Sequence, residues 1–387
     1  MREPVDLRRQ RILAVVQSRG ATRVSDLASE LAVSVVTLRR DVEELAREGK
    51  LRRGHGVARP VLTETEQAAA PVTPPADGGP VAVVVPERHA YLYETVHGAR
   101  TAFEEAGMRI ALHIAPTAPG AEQPIVERAL AEGARGLLIA PRWRSRATEE
   151  ADYAWLARLE VPAVVMERRP RRGSALHALD TVCTDHWYGI HLAVEHLTGL
   201  GHRRIVLAAR DDSPTARAIR TAFTDIASGH PDVDTWAVAL SSPGAACGPE
   251  AENAEKAIEL PALLKELGAT AAVLHGDVDA LMLVQSLRDS GVRVPEDCSA
   301  IAYDDVVAAL GSTPLTAVSP PKAEVGRAAA ELLLRRLGDL TSGGSGGPVR
   351  RMELLPTLEV RGSTQAPDGS AQATGTPAVP VPTPPSE

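Results

Sequence analysis

The sequence predicts an α/β protein: a pair of Rossmann-like lobes preceded by a small winged helix-turn-helix head. Three observations lead there. First, β-rich apolar runs alternate with helical patterns over residues 81–363, as parallel sheets with crossover helices require. Second, charge is divided. Residues 1–60 carry 13 Lys+Arg against 8 Asp+Glu, whereas the remainder carries 29 against 42. Third, residues 60–80 and 364–387 are rich in Pro, Ala and Gly and poor in large apolar groups, reading as a linker and a disordered tail.

The head, residues 1–59, comes first. Leu7, Ile12, Leu13 and Val16 mark one helical face; Leu27, Ala28 and Leu31 mark a second, with Ser25 as its N-cap. Ser34 caps a third helix that runs to Glu48 and stops at Gly49. Val35, Leu38, Val42 and Leu45 share one face and pack inward, leaving Ser34, Val36, Thr37 and Arg40 outward and Arg39 on the flank. A polar and basic helix start, held by two preceding helices, has the geometry needed to enter a major groove. Arg39 and Arg40 lie about 100° apart on a helix. One of them can contact bases while the other contacts phosphate or pairs with Asp41 or Glu43. Lys50–Gly56 reads as a tight β wing, with Arg52 and Arg53 reaching phosphates and His55 beside them. The competing reading is a solvated basic helical pair in a protein-interaction module, but a basic head on an acidic body favours a polyanion as its target.

These residues resemble the DeoR-type helix-turn-helix over about residues 6–58. The resemblance rests on Arg11-Ile12-Leu13, Val24–Ala28, Val33–Val42, Leu45, Gly49, Leu51, Arg53 and His55-Gly56. It implies that residues 34–47 are the recognition helix and that double-stranded operator DNA is the partner. The family usually places two glycines after the wing histidine; here the second is Val57.

The body, residues 81–363, is expected to place strands at Val81–Val85, Arg109–Ile114, Gly136–Ala140, Pro162–Met166, Arg204–Ala208, Thr235–Leu240, Ala271–Leu274 and Ser299–Tyr303. Helices are expected at Leu92–Ala106, Ile125–Ala131, Asp152–Leu159, Gly189–Leu200, Thr215–Ala227 and Asp279–Ser290. Ligands of such sheets bind beyond the carboxyl ends of strands, so the loops after residues 85, 140, 208, 274 and 303 should build a site. Asp277 and Asp304 follow strand ends and Asp185 starts a helix. Carboxylates there suit the hydroxyl pairs of a sugar, and Tyr91 or Trp187 could stack on its apolar face. The plainer alternatives are helix caps and loop residues for the carboxylates, and core packing for Trp187.

The body also resembles the effector domain of the LacI/GalR family, itself similar to periplasmic sugar-binding proteins. The strings that carry this are Val81–Pro86 with His89-Ala90-Tyr91, Asp185 with Gly201–Ile205, Asp211-Ser213-Pro214, Val294–Asp297, Ile301–Asp305, Pro314–Val318 and Leu358–Ser363. The resemblance implies two lobes, a hinge and a small ligand in the cleft, with Tyr91, Asp185, Asp277 and Asp304 at cleft positions. One departure stands out. The family usually carries an arginine four residues before the aromatic of the helix after Asp211; here Phe223 is the aromatic, Ile219 takes the arginine's place, and Arg217 and Arg220 flank it. Both arginines therefore join the candidate effector contacts, and a typical sugar is in question.

Other classes are argued against. No N-terminal apolar core of signal-peptide length is present, and no run of about 18 apolar residues, so a cytoplasmic protein is expected. Cys183, Cys247 and Cys298 form no disulfide or zinc pattern. His191 and His196 are five apart and diverge round a helix. No phosphate-loop motif is present, and no nucleophile-elbow or dinucleotide motif follows an expected strand. No catalytic residue, metal or cofactor is expected. The resulting expectation is a DNA-binding regulator, a repressor controlled by a small sugar-like effector and acting as a homodimer on paired half-sites. Two alternatives are a DeoR-type regulator with a sugar-phosphate isomerase-like body, and an enzyme acting on a small polar metabolite.

Overall fold

A computed structural model of the chain describes residues 8–9, 11–13, 15–16, 22–24, 27–28, 33–47, 50–54, 57–60, 78–86, 91–116, 118, 120–241, 259–341 and 347–367. His55, most of the expected linker, Cys247 and residues 368–387 lie outside these. In the head, the described residues at 8–16 and at 24, 27 and 28 are helical, ahead of helix α1 (Val35–Arg47). Strands β1 (Thr22–Arg23), β2 (Leu51–Gly54) and β3 (Val57–Pro60) form an antiparallel sheet in the order β1-β3-β2. The β2–β3 hairpin is the expected wing. Ile12, Val16, Leu27, Leu38, Val42, Leu45 and Leu51 share one aliphatic core, so the periodic residues pack inward as their spacing requires.

The first lobe contains β4 (Val81–Pro86), α2 (Tyr91–Glu105), β5 (Ile110–Ala115), α3 (Glu122–Ala131), β6 (Gly136–Ile139), α4 (Arg146–Leu156), β7 (Ala163–Met166) and β8 (Asp180–Thr184). The second contains α5 (His186–Gly199), β9 (Arg204–Ala209), α6 (Pro214–Gly229), β10 (Thr235–Leu240), α7 (Leu260–Leu267), β11 (Ala271–His275), α8 (Asp277–Asp289), β12 (Ser299–Tyr303) and β13 (Thr316–Ser319). The chain then returns as α9 (Lys322–Thr341) and β14 (Arg351–Leu354) to the first lobe, and as β15 (Thr357–Glu359) to the second.

The sheets run β14-β8-β7-β6-β4-β5 and β10-β9-β11-β12-β13-β15. The first is wholly parallel; the second is parallel except for β15 against β13. Omitting the return strands, both lobes have the same doubly wound order. Strands such as Val81–Pro86 are buried along their whole length, which is why they read as unbroken apolar runs. Among the described residues the chain crosses between lobes three times, at β8–α5, β13–α9 and β14–β15.

Helix α9 packs on α2 at very short range because two glycines allow it. A Cβ on Gly326 would lie 1.8 Å from the Thr95 carbonyl oxygen, and one on Gly98 would lie 2.0 Å from that of Ala323. This contact fixes the start of α9, and with it Lys322, against the first lobe. Gln365, in the tail by composition, is fastened to the second lobe: its amide donates to Ser299 Oγ at 3.0 Å. Among the described residues no helix is long and apolar enough to cross a membrane.

Candidate functional site

Two sites follow from this architecture. On the head, Ser34 caps α1 by accepting from the Thr37 amide at 3.1 Å. Ser34, Arg39 and Arg40 are exposed, Thr37 is half-buried, and Val36 is 76% exposed. An apolar side chain so open to solvent at a helix start suits contact with a thymine methyl. Asp41 does not serve the neighbouring arginines as a surface partner. It is buried and accepts from Arg8 Nε at 2.6 Å and Arg9 Nε at 3.3 Å, tying α1 to the first helical segment. Arg52 and Arg53 lie on β2, opposite Arg59 and Ala58.

In the body, a cavity of about 730 Å³ opens between the lobes, within the range of small-molecule sites. The loops after β6, β7 and β8 wall one side; the start of α5, the loop after β9 and one face of α6 wall the other. Of the sequence-predicted residues, Trp187, Arg217 and Arg220 line it. Trp187 is half exposed and stacks on His191, ring centroids 5.6 Å apart. Arg217 bridges the lobes, donating to the carbonyls of Arg144 at 2.7 Å and Trp143 at 2.8 Å. Arg144 in turn faces Asp212 of the second lobe at 3.5 Å.

Tyr91, Asp185, Asp277 and Asp304 stand outside this lining. Asp185 caps α5, accepting from the Tyr188 amide at 3.0 Å. Asp277 is buried and accepts from the amides of Val278 at 2.9 Å and Val306 at 2.6 Å, and from that of Val307, which locks the loop after β12. Asp304 pairs with Lys322. Burial and the Asp277 carboxylate push its carboxyl up against the pull of Lys322. Tyr91 backs the cavity wall: its hydroxyl meets Thr184 Oγ1 at 3.1 Å, which donates to Glu167 at 3.1 Å, while Lys322 Nζ lies 5.5 Å from its ring centre. Glu167, Thr184, Tyr91, Lys322 and Asp304 thus form a continuous path from the cavity wall through the start of α9 to the second lobe.

The cavity is also richer in arginine than the sequence reading foresaw. The first lobe supplies Arg146, Arg168, Arg169, Arg171 and Arg172 beside Arg217 and Arg220, against the carboxylates of Glu149, Glu167, Asp211 and Asp225. Arg168 is buried, donating to the carbonyls of Pro141 at 2.5 Å and Glu167 at 2.7 Å; burial pulls its pKa down to about 10. Among the described residues, the non-glycine residues with positive φ are Trp143 (37°), Glu167 (52°) and Asp304 (118°), the first two of which line the cavity. Such backbone costs roughly 1–3 kcal/mol per residue and concentrates at functional sites. His186, on the wall, meets Tyr303 Oη through Nδ1 at 3.0 Å, and burial lowers its pKa to about 3.

Comparison with known proteins agrees with this architecture. A family model described as a DeoR-like helix-turn-helix domain matches residues 8–63, and one described as a periplasmic binding protein-like domain matches residues 194–364. An arabinose metabolism transcriptional repressor of Geobacillus stearothermophilus is 27% identical over 359 residues, covering 88% of this chain and 90% of that protein. A PurR repressor of Aliivibrio salmonicida is 31% identical over 187 residues, 46% of this chain and 52% of its own length. Among solved structures, a LacI transcriptional regulator from a Rhodococcus species matches with a TM-score of 0.56 at 25% identity, covering 74% of this chain and 99% of that one. The lac repressor dimer bound to operator and anti-inducer matches at 0.58 and 20%, covering 75% and 96%. The chain therefore joins a DeoR-like helix-turn-helix domain to a periplasmic binding protein-like domain with a LacI-like two-lobed fold.

Proposed function

We propose that this protein is a ligand-responsive transcriptional repressor. The head, residues 1–59, reads operator DNA through Ser34, Val36, Thr37, Arg39 and Arg40, with Arg52, Arg53 and His55 on phosphates. The body, residues 81–363, binds a small polar effector between its lobes, and two copies present paired heads to two half-sites. The carrying observation is the pairing in one chain of a solvent-facing recognition helix with a cavity shared by two lobes. The arabinose and PurR relatives named above are repressors, and the arabinose repressor spans nearly the whole chain.

Effector binding changes DNA affinity only by the ratio of its affinities for the two lobe arrangements. The bridge from Arg217 to the Trp143 and Arg144 carbonyls and the Asp304–Lys322 pair are the contacts such a rearrangement must keep or break. The reading is tested by selecting duplexes from the protein's own genome with the full chain. It requires a sequence bound about 10³-fold or more tighter than random duplex; equal affinity for all duplexes would remove it.

A further inference from the structure

Resting on that reading of the inter-lobe cavity, we propose that its effector is a small oxyanion-bearing polyol, carrying a carboxylate or phosphate, with Arg168 as the anion anchor. The residues argue this against the trend of the chain, whose net charge is −8. Seven arginines line the cavity against four carboxylates. Pairing draws on both sides. Glu167 accepts from Thr184, and Glu149 accepts from Tyr153 Oη and lies 4.0 Å from Arg217. Arg169 pairs with Glu353 and Arg171 with Glu150, which leaves Arg168 and Arg172 without a salt bridge to a described carboxylate.

Arg168 carries the argument furthest. It is 4% exposed, yet its hydrogen bonds go to two backbone carbonyls, from Nε and Nη1. No described carboxylate is hydrogen-bonded to it, and its Nη2 donates to no described residue. This guanidinium gives its hydrogen bonds to neutral carbonyls and feels the adjacent Glu167 carboxylate only through space, so it keeps donors to offer where it borders the cavity. An oxyanion that presents two oxygens to accept two parallel hydrogen bonds, carboxylate or phosphate, is the ligand that completes such a group. Arg172, exposed on the same loop, and Arg220 across the cleft add positive potential at the entrance and far wall. Trp187 offers an apolar face for the carbon skeleton. The carboxylates expected to hold sugar hydroxyls, Asp277 and Asp304, are occupied by backbone amides and by Lys322.

The test uses the full chain and matched pairs at fixed ionic strength: galactose with galacturonate, and glucose with glucose 6-phosphate, plus inorganic phosphate alone. Thermal shift and calorimetry should show at least one anion binding tenfold or more tighter than its neutral partner; which pair responds tells carboxylate from phosphate. Arg168→Gln should erase most of that preference. Arg168→Lys, which keeps the charge but not the fork, should retain part of it and guards against a folding defect. Arg172→Gln should weaken the anion by a few fold. Equal binding of the neutral partners, or no response to either anion or to phosphate, overturns the inference. Operator binding separates the two claims. A protein that binds operator and releases it with a neutral sugar remains a regulator and loses only the anion; one that binds no operator loses the regulatory reading, while the paired titrations still decide the anion.

Discussion

Lys322 Nζ lies 2.5 Å from Asp304 Oδ1, and both side chains are almost wholly buried. The pair joins the first residue of α9, packed on the first lobe, to the end of β12 in the second. Removing one partner of a buried pair strands the other charge, which costs about 3–5 kcal/mol. Lys322→Met should therefore destabilise the protein by that order in urea unfolding. The double variant Lys322→Met with Asp304→Asn should recover most of the loss. Additive losses would mean the two groups do not interact.

Acid should weaken the body through its buried histidines. Burial holds His186 at about 3 and His275 at about 4, below the free value of about 6.5. Between those limits the unfolded chain binds protons that the folded chain does not. Their contribution is therefore complete above about pH 6.5 and is lost as pH falls toward 4. Each histidine adds a slope of at most about 1.4 kcal/mol per pH unit. His186→Asn should flatten the stability curve by about 1 kcal/mol per unit between pH 6 and 4; an unchanged slope would show that His186 is not the acid-sensitive group.

Arg217 spans the cleft with two hydrogen bonds to carbonyls of the other lobe. Arg217→Leu should shift the lobes apart, raising the radius of gyration in small-angle scattering and weakening effector binding by about tenfold. Arg217→Lys should also fail to restore the bridge, because an ammonium lacks the planar fork. Identical scattering and affinity in the leucine variant would make the bridge idle.

The α2–α9 contact has no room for a side chain at Gly326, where a Cβ would meet the Thr95 carbonyl oxygen at 1.8 Å. Backbone must move to admit a methyl group, so Gly326→Ala should cost about 3 kcal/mol. Gly199→Ala, where nothing lies within 4 Å, is the control and should be neutral or slightly stabilising by helix propensity.

On the head, Arg40→Ala should lose about 1–3 kcal/mol on operator and relax base preference, whereas Arg52→Ala should weaken all duplexes alike and lower the salt dependence. Gel shifts on operator and random duplex at two salt concentrations distinguish them. Equal losses on both duplexes for Arg40→Ala would remove it from base reading.

Most of the architecture was legible because parallel strands buried on both faces leave unbroken apolar runs. Thr235–Leu240 and Ser299–Tyr303 are found at their expected bounds. Strand β8, Asp-Thr-Val-Cys-Thr, escaped because its first residue is a buried carboxylate, paired with Arg336 from distant α9. Helix α9 has helix-favouring composition, but its place on the first lobe depends on contacts with α2 more than 200 residues earlier in sequence. The short return strands β14 and β15 carry too few residues for a periodic pattern.

The site was legible in part. The fold class pointed to strand ends, and Arg217, Arg220 and Trp187 line the cavity. Asp277 and Asp304 sit at strand ends as expected, but nothing in their spacing reveals that backbone amides and Lys322 occupy them. A usable signal lay in Glu167-Arg168-Arg169-Pro170-Arg171-Arg172, a basic run directly after a strand. The acidic balance of the whole body conceals it.

The central claim is that a ligand between the lobes controls the DNA affinity of the head. Reciprocity tests it most directly: titrate operator onto the full chain with and without the compound that most raises its melting temperature, then titrate that compound with and without operator. Linkage requires both affinities to change by the same factor, typically about 5–150-fold. A ligand that binds the body tightly yet leaves operator affinity unchanged would contradict the account.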